Sequence, residues 1–226
     1  MRVAICFSGL PRFVKEGHKL FSKNLVGFKD IDVFFHSWVE GAGGNHASLS
    51  RLDTHDDIEN LYNVTNSIKE PQRYDIAPEG LSHEEFVHWS MFYSIWASNN
   101  IKNIYEKEQG IRYDYVIRTR FDCALLESLD VTQYDPNSIS TPWLHRGVKL
   151  MDWFNFSSSE NMNTHANLWK SMNQYKQDGV MMTSGEELLT AHLDANGINY
   201  NNINKDVKLI RNNATADTWI GVNDLN

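Results

Sequence analysis

Tyr113-Asp114-Tyr115-Val116-Ile117-Arg118-Thr119-Arg120-Phe121-Asp122 runs from apolar to charged within ten residues. Its aromatic and β-branched opening predicts a buried strand, because such side chains suit a pleated, packed surface. The stretch then turns polar. Side chains on a strand alternate between faces, so Arg118, Arg120 and Asp122 are expected along one face and Thr119 and Phe121 along the other. Two guanidinium groups and a carboxylate at the end of a buried strand are costly to desolvate unless a ligand or an internal ion pair engages them. In open α/β sheets ligands sit at the carboxyl ends of the strands. The positive excess predicts an anionic ligand, since paired Arg forks match phosphate oxygens.

Upstream, Arg2 to Phe7 reads as a first buried strand, stopped by the turn Ser8-Gly9-Leu10-Pro11-Arg12. Phe13 to about Phe28 carries a helical apolar stripe, and Ile31 to Trp38 reads as a second strand. This β-turn-α-β order implies a parallel pair joined by a crossover. The glycine-rich segment from Gly41 to about Leu52 lacks phosphate-loop spacing and is expected to be a mobile surface loop or lid. Thr54 is placed to cap a short acidic helix ending near Tyr62, and Asn66 to Ile76, containing Pro71, reads as irregular or an edge strand. Ser82 and Glu85 form a capping-box pattern at the start of a helix reaching Gln109, with Gly110 as its stop. Such a helix would be roughly 40 Å long, so a break near His88–Ser90 is expected.

Downstream, Ser138 to Leu144 and Val148 to Phe156 read as two strands around His145-Arg146-Gly147. Ser159 to about Tyr175 and Gly185 to Asn196 read as helices, and Val207 to Ile210 as a last strand before a polar tail. The fold class predicted is α/β: a mixed, mostly parallel, Rossmann-like sheet flanked by helices. A chain of 226 residues needs only one domain to bury a sizeable core. That one domain is expected to span 1–226.

Composition narrows the function. The 41% hydrophobic and 22% charged content is that of an ordinary globular protein. A net charge of -8 argues against nucleic acid as a partner. Cys6 and Cys123 are too few for a disulfide framework and read as reduced core residues. The run Val3 to Phe7 is too short for a signal or membrane-spanning segment, so no integral membrane segment and a cytoplasmic location are expected. Sequons at Asn63, Asn155 and Asn213 then occur by chance.

Several further residues could carry chemistry. The turn holding Ser8, Gly9 and Arg12 can offer backbone amides and a guanidinium to phosphates, although it is not a dinucleotide fingerprint. Asp152 lies among aromatics in Met151-Asp152-Trp153-Phe154 and needs a partner, either a ligand hydroxyl or an Arg. Glu186 and Glu187 open a helix, where acidic side chains also complement the macrodipole. One of them facing the cleft could serve as a general base. His36 and Trp38 end the second strand; the remaining histidines, His165 and His192 among them, show no ligand spacing.

Together these pieces resemble a nucleotide-sugar-dependent glycosyltransferase of the GT-A fold, and more narrowly the small bacterial and viral transferase-like proteins. Three patterns carry the resemblance: a strand followed by Ser-Gly-X-X-Arg, matched by Ser8, Gly9 and Arg12; Asp-Val-Phe-X-His-X-Trp, matched by Asp32 to Trp38; and Tyr-Asp-X-Val-Ile-Arg-X-Arg-X-Asp, matched by Tyr113 to Asp122. The resemblance implies a nucleotide-binding half, 1–122, and an acceptor-side half, 123–226, with a nucleotide-diphosphate sugar as donor and a glycan or lipid-linked hydroxyl as acceptor. Ser8, Gly9, Arg12, Arg118 and Arg120 would bind the donor, and Asp152, Glu186 or Glu187 would act in catalysis. In that fold the strand ends in Asp-X-Asp, whose carboxylates hold Mn²⁺ or Mg²⁺. Here Arg120 occupies the first Asp position and only Asp122 remains to bind metal. The departure leaves three expectations open: a metal-using enzyme, a metal-free enzyme in which arginines replace the cation, and a module that binds nucleotide sugar or glycan without turnover.

Overall fold

A computed structural model describes residues 1–27, 30–39, 50–145, 149–180 and 182–225. The main sheet has seven strands, and the chain enters it at an interior one, β1 (Val3–Gly9). The chain passes through α1 (Val14–Asn24) to β2 (Ile31–Trp38), then through α2 (His55–Leu61) to β3 (Val64–Glu70) at the edge. The long α3 (His83–Gln109) carries it back to β4 (Tyr115–Thr119) on the other side of β1. β1 is parallel to both β2 and β4. The boundary between β1 and β4 is therefore the point where strand order reverses, and the crevice outside their carboxyl ends is where such sheets bind ligands.

The sheet continues beyond β4 through β9 (Phe154–Ser157), β6 (Ile139–Thr141) and β10 (Tyr200–Asn202). Only β9 runs against its neighbours, so the sheet is mixed and mostly parallel. A ribbon of β7 (Leu144–His145) and β8 (Lys149–Leu150) stands apart from it. β5 (Cys123–Leu125) leaves the main sheet and pairs with β11 (Val207–Arg211), itself paired with β12 (Trp219–Gly221). Helices α4 (Ser159–Ala166), α5 (Leu168–Gln177) and α6 (Gly185–Ala195) complete the fold.

Strand alternation produces two cores. Val3, Ile5, Phe7, Ile117 and Phe121 pack on one side with residues of α1, while Ala4, Cys6, Phe34 and Val116 pack on the other with residues of α3, α4 and α6. Cys6 and Cys123 are both buried and free, and burial raises each thiol to about 12, which leaves them inert.

The caps at Thr54 and Ser82 form as expected, each a complete capping box, and Gly110 closes α3 in the left-handed region at φ 63°. The expected break near His88–Ser90 does not occur: α3 runs unbroken for 27 residues. Its buried Trp89, Phe92, Tyr93 and Ile95 keep it continuously on the sheet, so packing holds the length together. The helix expected over Ser159–Tyr175 is two helices meeting at Asn167. The strand expected over Val148–Phe156 is interrupted at 151–153, and that over Ser138–Leu144 is interrupted at 142–143, so the pair becomes β6 to β9. The polar tail contains β12. The loop or lid expected from Gly41 lies outside the described residues as far as 49, as do Arg146 and Gly147.

Candidate functional site

Strand β4 ends at Thr119, so Arg120 and Asp122 lie in a turn beyond it and do not continue the pleat, a correction to the expected single face. Phe121 sets the geometry of this turn. It is fully buried, stacks on Phe7 at 5.1 Å between ring centroids and meets Phe35 edge-on at 5.9 Å. Each such ring pair contributes about 0.5–1.5 kcal/mol beyond area burial. Helix α1 passes so close that a Cβ at Gly17 would stand 2.0 Å from the Phe121 carbonyl oxygen; no other residue fits there.

With Phe121 pinned inward, its neighbours fold over the strand end. Arg120 donates from Nε to Asp122 Oδ1 at 2.9 Å and from Nη2 to Oδ2 at 2.8 Å. Arg211, at the end of β11, donates from Nη1 to Asp122 Oδ2 at 2.6 Å. The backbone holds that approach: Ile210 N–H donates to the Asp122 carbonyl at 2.8 Å. Burial alone would raise the Asp122 carboxyl, but Arg120, Arg211 and Arg12 outweigh it and hold it at about 2. Burial lowers Arg12 to about 10, helped by the like charge of Arg120, and lowers Arg118 to about 10 against the pull of Asp152. All four guanidinium groups remain charged at neutral pH.

The first turn is built to present Arg12. Gly9 has φ 107°, open only to glycine, and its N–H donates to Ser94 Oγ of α3 at 2.9 Å. Ser94 Oγ lies 2.7 Å from His36 Nδ1, whose Nε2 lies 2.9 Å from Glu70 Oε1. Burial lowers the His36 pKa despite Glu70. The neutral ring therefore donates from Nε2 to the carboxylate and accepts the Ser94 proton at Nδ1. His36 thus supports the turn from beneath. Phe13 is held in the left-handed region at φ 46°, and Asp53 caps α1 by accepting from Val14 N–H at 2.7 Å.

A second set of polar groups lies on the α3 and α4 side. Arg118 is the register partner of Cys6 on β1 and Asn155 on β9, so Ser8, two residues beyond Cys6, shares its face. Ser8 Oγ, Arg118 Nε and Nη1, Asn155 Oδ1 and both ring nitrogens of His165 are buried and have no hydrogen-bond partner among the described residues. Arg12 Nε and Arg211 Nε share that condition. Burial, with Arg118 and His192 adding to it, lowers His165 to about 3, so its ring is neutral. Buried donors of this kind are normally satisfied, and a cluster at one strand end calls for a partner beyond the described residues.

Asp152 joins this site to α6. Its charge acts on Arg118, and a Cβ at Gly185 would lie 2.2 Å from its Oδ2, so the carboxylate presses against the helix start. Ser184 caps α6 by accepting from Glu187 N–H at 3.2 Å, and its hydroxyl lies 3.4 Å from Glu186 Oε2. Glu187 forms an ion pair with Lys149 of β8. The structure therefore brings together Ser8, Gly9, Arg12, Arg118, Arg120 and Asp122, and links Asp152 with the turn bearing Glu186 and Glu187. Sequence reasoning missed Arg211 and His165. Arg211 is 89 residues from its partner and carries no local signal, and His165 lies within an unremarkable helical pattern.

Among the described residues, Asp122 is not set out as a ligand for a divalent cation: both its oxygens already accept from guanidinium groups. Among the described residues no group of three His, Cys, Asp or Glu side chains is arranged to share one ion. No helix among the described residues is long and apolar enough to cross a membrane. No known protein-family model matches the chain, and no curated protein matches it.

Proposed function

We propose that the protein transfers a sugar from a nucleotide-diphosphate donor to a hydroxyl of a glycan or lipid-linked acceptor. One observation carries this reading: four buried or half-buried arginines converge at the carboxyl ends of β1 and β4 against two carboxylates, Asp122 and Asp152. Among the described residues two positive charges are left uncompensated, and the nitrogens without acceptors there belong to Arg12, Arg118 and Arg211. A diphosphate supplies both the charge and the acceptor oxygens. The mixed sheet with antiparallel β9 is compatible with the GT-A fold that the sequence patterns suggest.

In this reading the arginines stabilise the negative charge that grows on the diphosphate as the sugar departs, from positions fixed before the reaction. Asp152, between Arg118 and the start of α6, would contact donor-sugar or acceptor hydroxyls. Glu186 or Glu187 takes the acceptor proton if the configuration inverts; Glu187 would do so while paired with Lys149.

The test is release of free nucleotide from UDP-glucose, UDP-N-acetylglucosamine and GDP-mannose, with and without simple glycoside acceptors. Arg120→Ala and Asp122→Ala should each lose at least about a hundredfold in release, the size expected for removing a preorganised charged donor or its anchor. Wild-type binding without release identifies a non-catalytic module instead. Full activity in both variants overturns the assignment of the site.

A further inference from the structure

The state of Asp122 bears on how the site handles negative charge. A carboxylate that serves a divalent cation must keep an oxygen free for it, and cations nearby weaken the hold. Asp122 has the reverse surroundings. Its Oδ1 accepts from Arg120 Nε, and its Oδ2 accepts from both Arg120 Nη2 and Arg211 Nη1. Arg12 adds a third positive charge to its field. The side chain is 2% exposed, so water does not separate these charges.

Arg211 is fixed as firmly as its partner. Its Nη1 also donates to the Ile210 carbonyl at 2.6 Å, and the Trp219 ring lies 5.4 Å from its Cζ. β11 is in register with β5, with Leu209 opposite Cys123, which brings Arg211 to the Asp122 turn. Asp122 therefore acts as an internal counter-ion that locks two forks in place. The nitrogens left over, Arg211 Nε, Arg12 Nε and Arg118 Nε and Nη1, are the ones without acceptors. The locked forks and the unused donors belong to one cluster.

Resting on the reading of a nucleotide-diphosphate donor, we infer that this site binds the diphosphate with no divalent cation, Arg211 and Arg12 supplying the charge a metal would bring. Asp122 contributes by holding Arg120 and Arg211 and does not touch the ligand through a metal.

The experiment is calorimetric titration of the full chain with UDP, GDP and inorganic pyrophosphate, once in EDTA and once with Mn²⁺ or Mg²⁺. The expected result is equal affinity in both, and a loss of about tenfold or more in EDTA for Arg211→Gln and for Arg12→Gln, the scale of a charge-assisted hydrogen bond. Arg12→Gln breaks no hydrogen bond to Asp122, so it serves even if Arg211→Gln fails to fold; thermal melting checks both. Binding only in the presence of the cation overturns the inference and leaves the proposed donor standing. Binding of none of the three probes under either condition overturns the donor reading and this inference with it. Undiminished affinity in both variants removes Arg12 and Arg211 from the site.

Discussion

Two buried charged clusters flank β4, and they differ in what is left over. On one side Lys102 of α3 is fully buried, yet its three donors are all used: Glu106 Oε2 at 3.0 Å, Ser159 Oγ at 2.5 Å and Asn163 Oδ1 at 3.1 Å. Ser159 in turn donates to Glu106, and Asn99 donates to Asn163 Oδ1 at 2.8 Å. That network ties α3 to α4 and closes on itself. At the carboxyl end of β4, arginines outnumber carboxylates and several guanidinium nitrogens have no acceptor among the described residues. A buried ion pair is weak evidence of function, because a fold can use it as a strut. Such a strut does not account for the unused buried donors, and they are what distinguishes this cluster from the Lys102 network.

The contrast can be broken by substitution. The largest effect should come from Lys102→Met, which strands Glu106 without its cation. A loss of about 3–5 kcal/mol in chemical denaturation is expected, with nucleotide affinity unchanged. Changed affinity would mean that the two clusters are coupled.

Next comes pH. His165 is neutral in the fold, lowered to about 3 from an ordinary 6.5 by burial first and then by Arg118 and His192. The unfolded chain therefore binds more protons between those values, and the contribution of this ring is complete above pH 6.5 and lost as pH falls toward 3. The steepest part of that loss approaches about 1.4 kcal/mol per pH unit. Asp122, also depressed, adds to the loss only between its ordinary value near 4 and about 2. His165→Gln should flatten the denaturation free energy between pH 6.5 and 4 and leave the Asp122 limb in place. An unchanged slope would show that His165 is not the group responsible.

Arg118→Met sharpens the comparison further. It removes a buried guanidinium with two unpaired nitrogens, so stability should hold or rise by about 1–3 kcal/mol while diphosphate affinity falls. A loss of stability would place Arg118 with Lys102, as a brace. The smallest effect belongs to Ser94→Ala, which leaves Gly9 N–H and His36 Nδ1 without their shared hydroxyl and should cost about 1 kcal/mol by thermal melting.

The two clusters also show what a sequence can and cannot disclose. The strands β1, β2 and β4, the caps at Thr54 and Ser82, and the stop at Gly110 are local events, written in residue types a few positions apart. The same holds for two of the sequence patterns, the one with Ser8, Gly9 and Arg12 and the one with Arg118, Arg120 and Asp122, whose residues meet at one sheet end. Arg211 is different: it reaches Asp122 through the pairing of β11 with β5, a contact that no local pattern encodes. The unbroken α3 and the division at Asn167 are likewise tertiary outcomes, set by what the helix faces pack against. His165 is the plainest case. Its significance lies in having no hydrogen-bond partner among the described residues, and no run of residues can show that.

A crystal structure of the protein with UDP or GDP bound tests the central claim most directly. The account predicts a diphosphate whose oxygens lie within hydrogen-bond distance of Arg12 Nε, Arg118 and Arg211 Nε, with the Arg120–Asp122 pair intact beneath it. A nucleotide seated elsewhere, with those nitrogens hydrogen-bonded only to water, would contradict it.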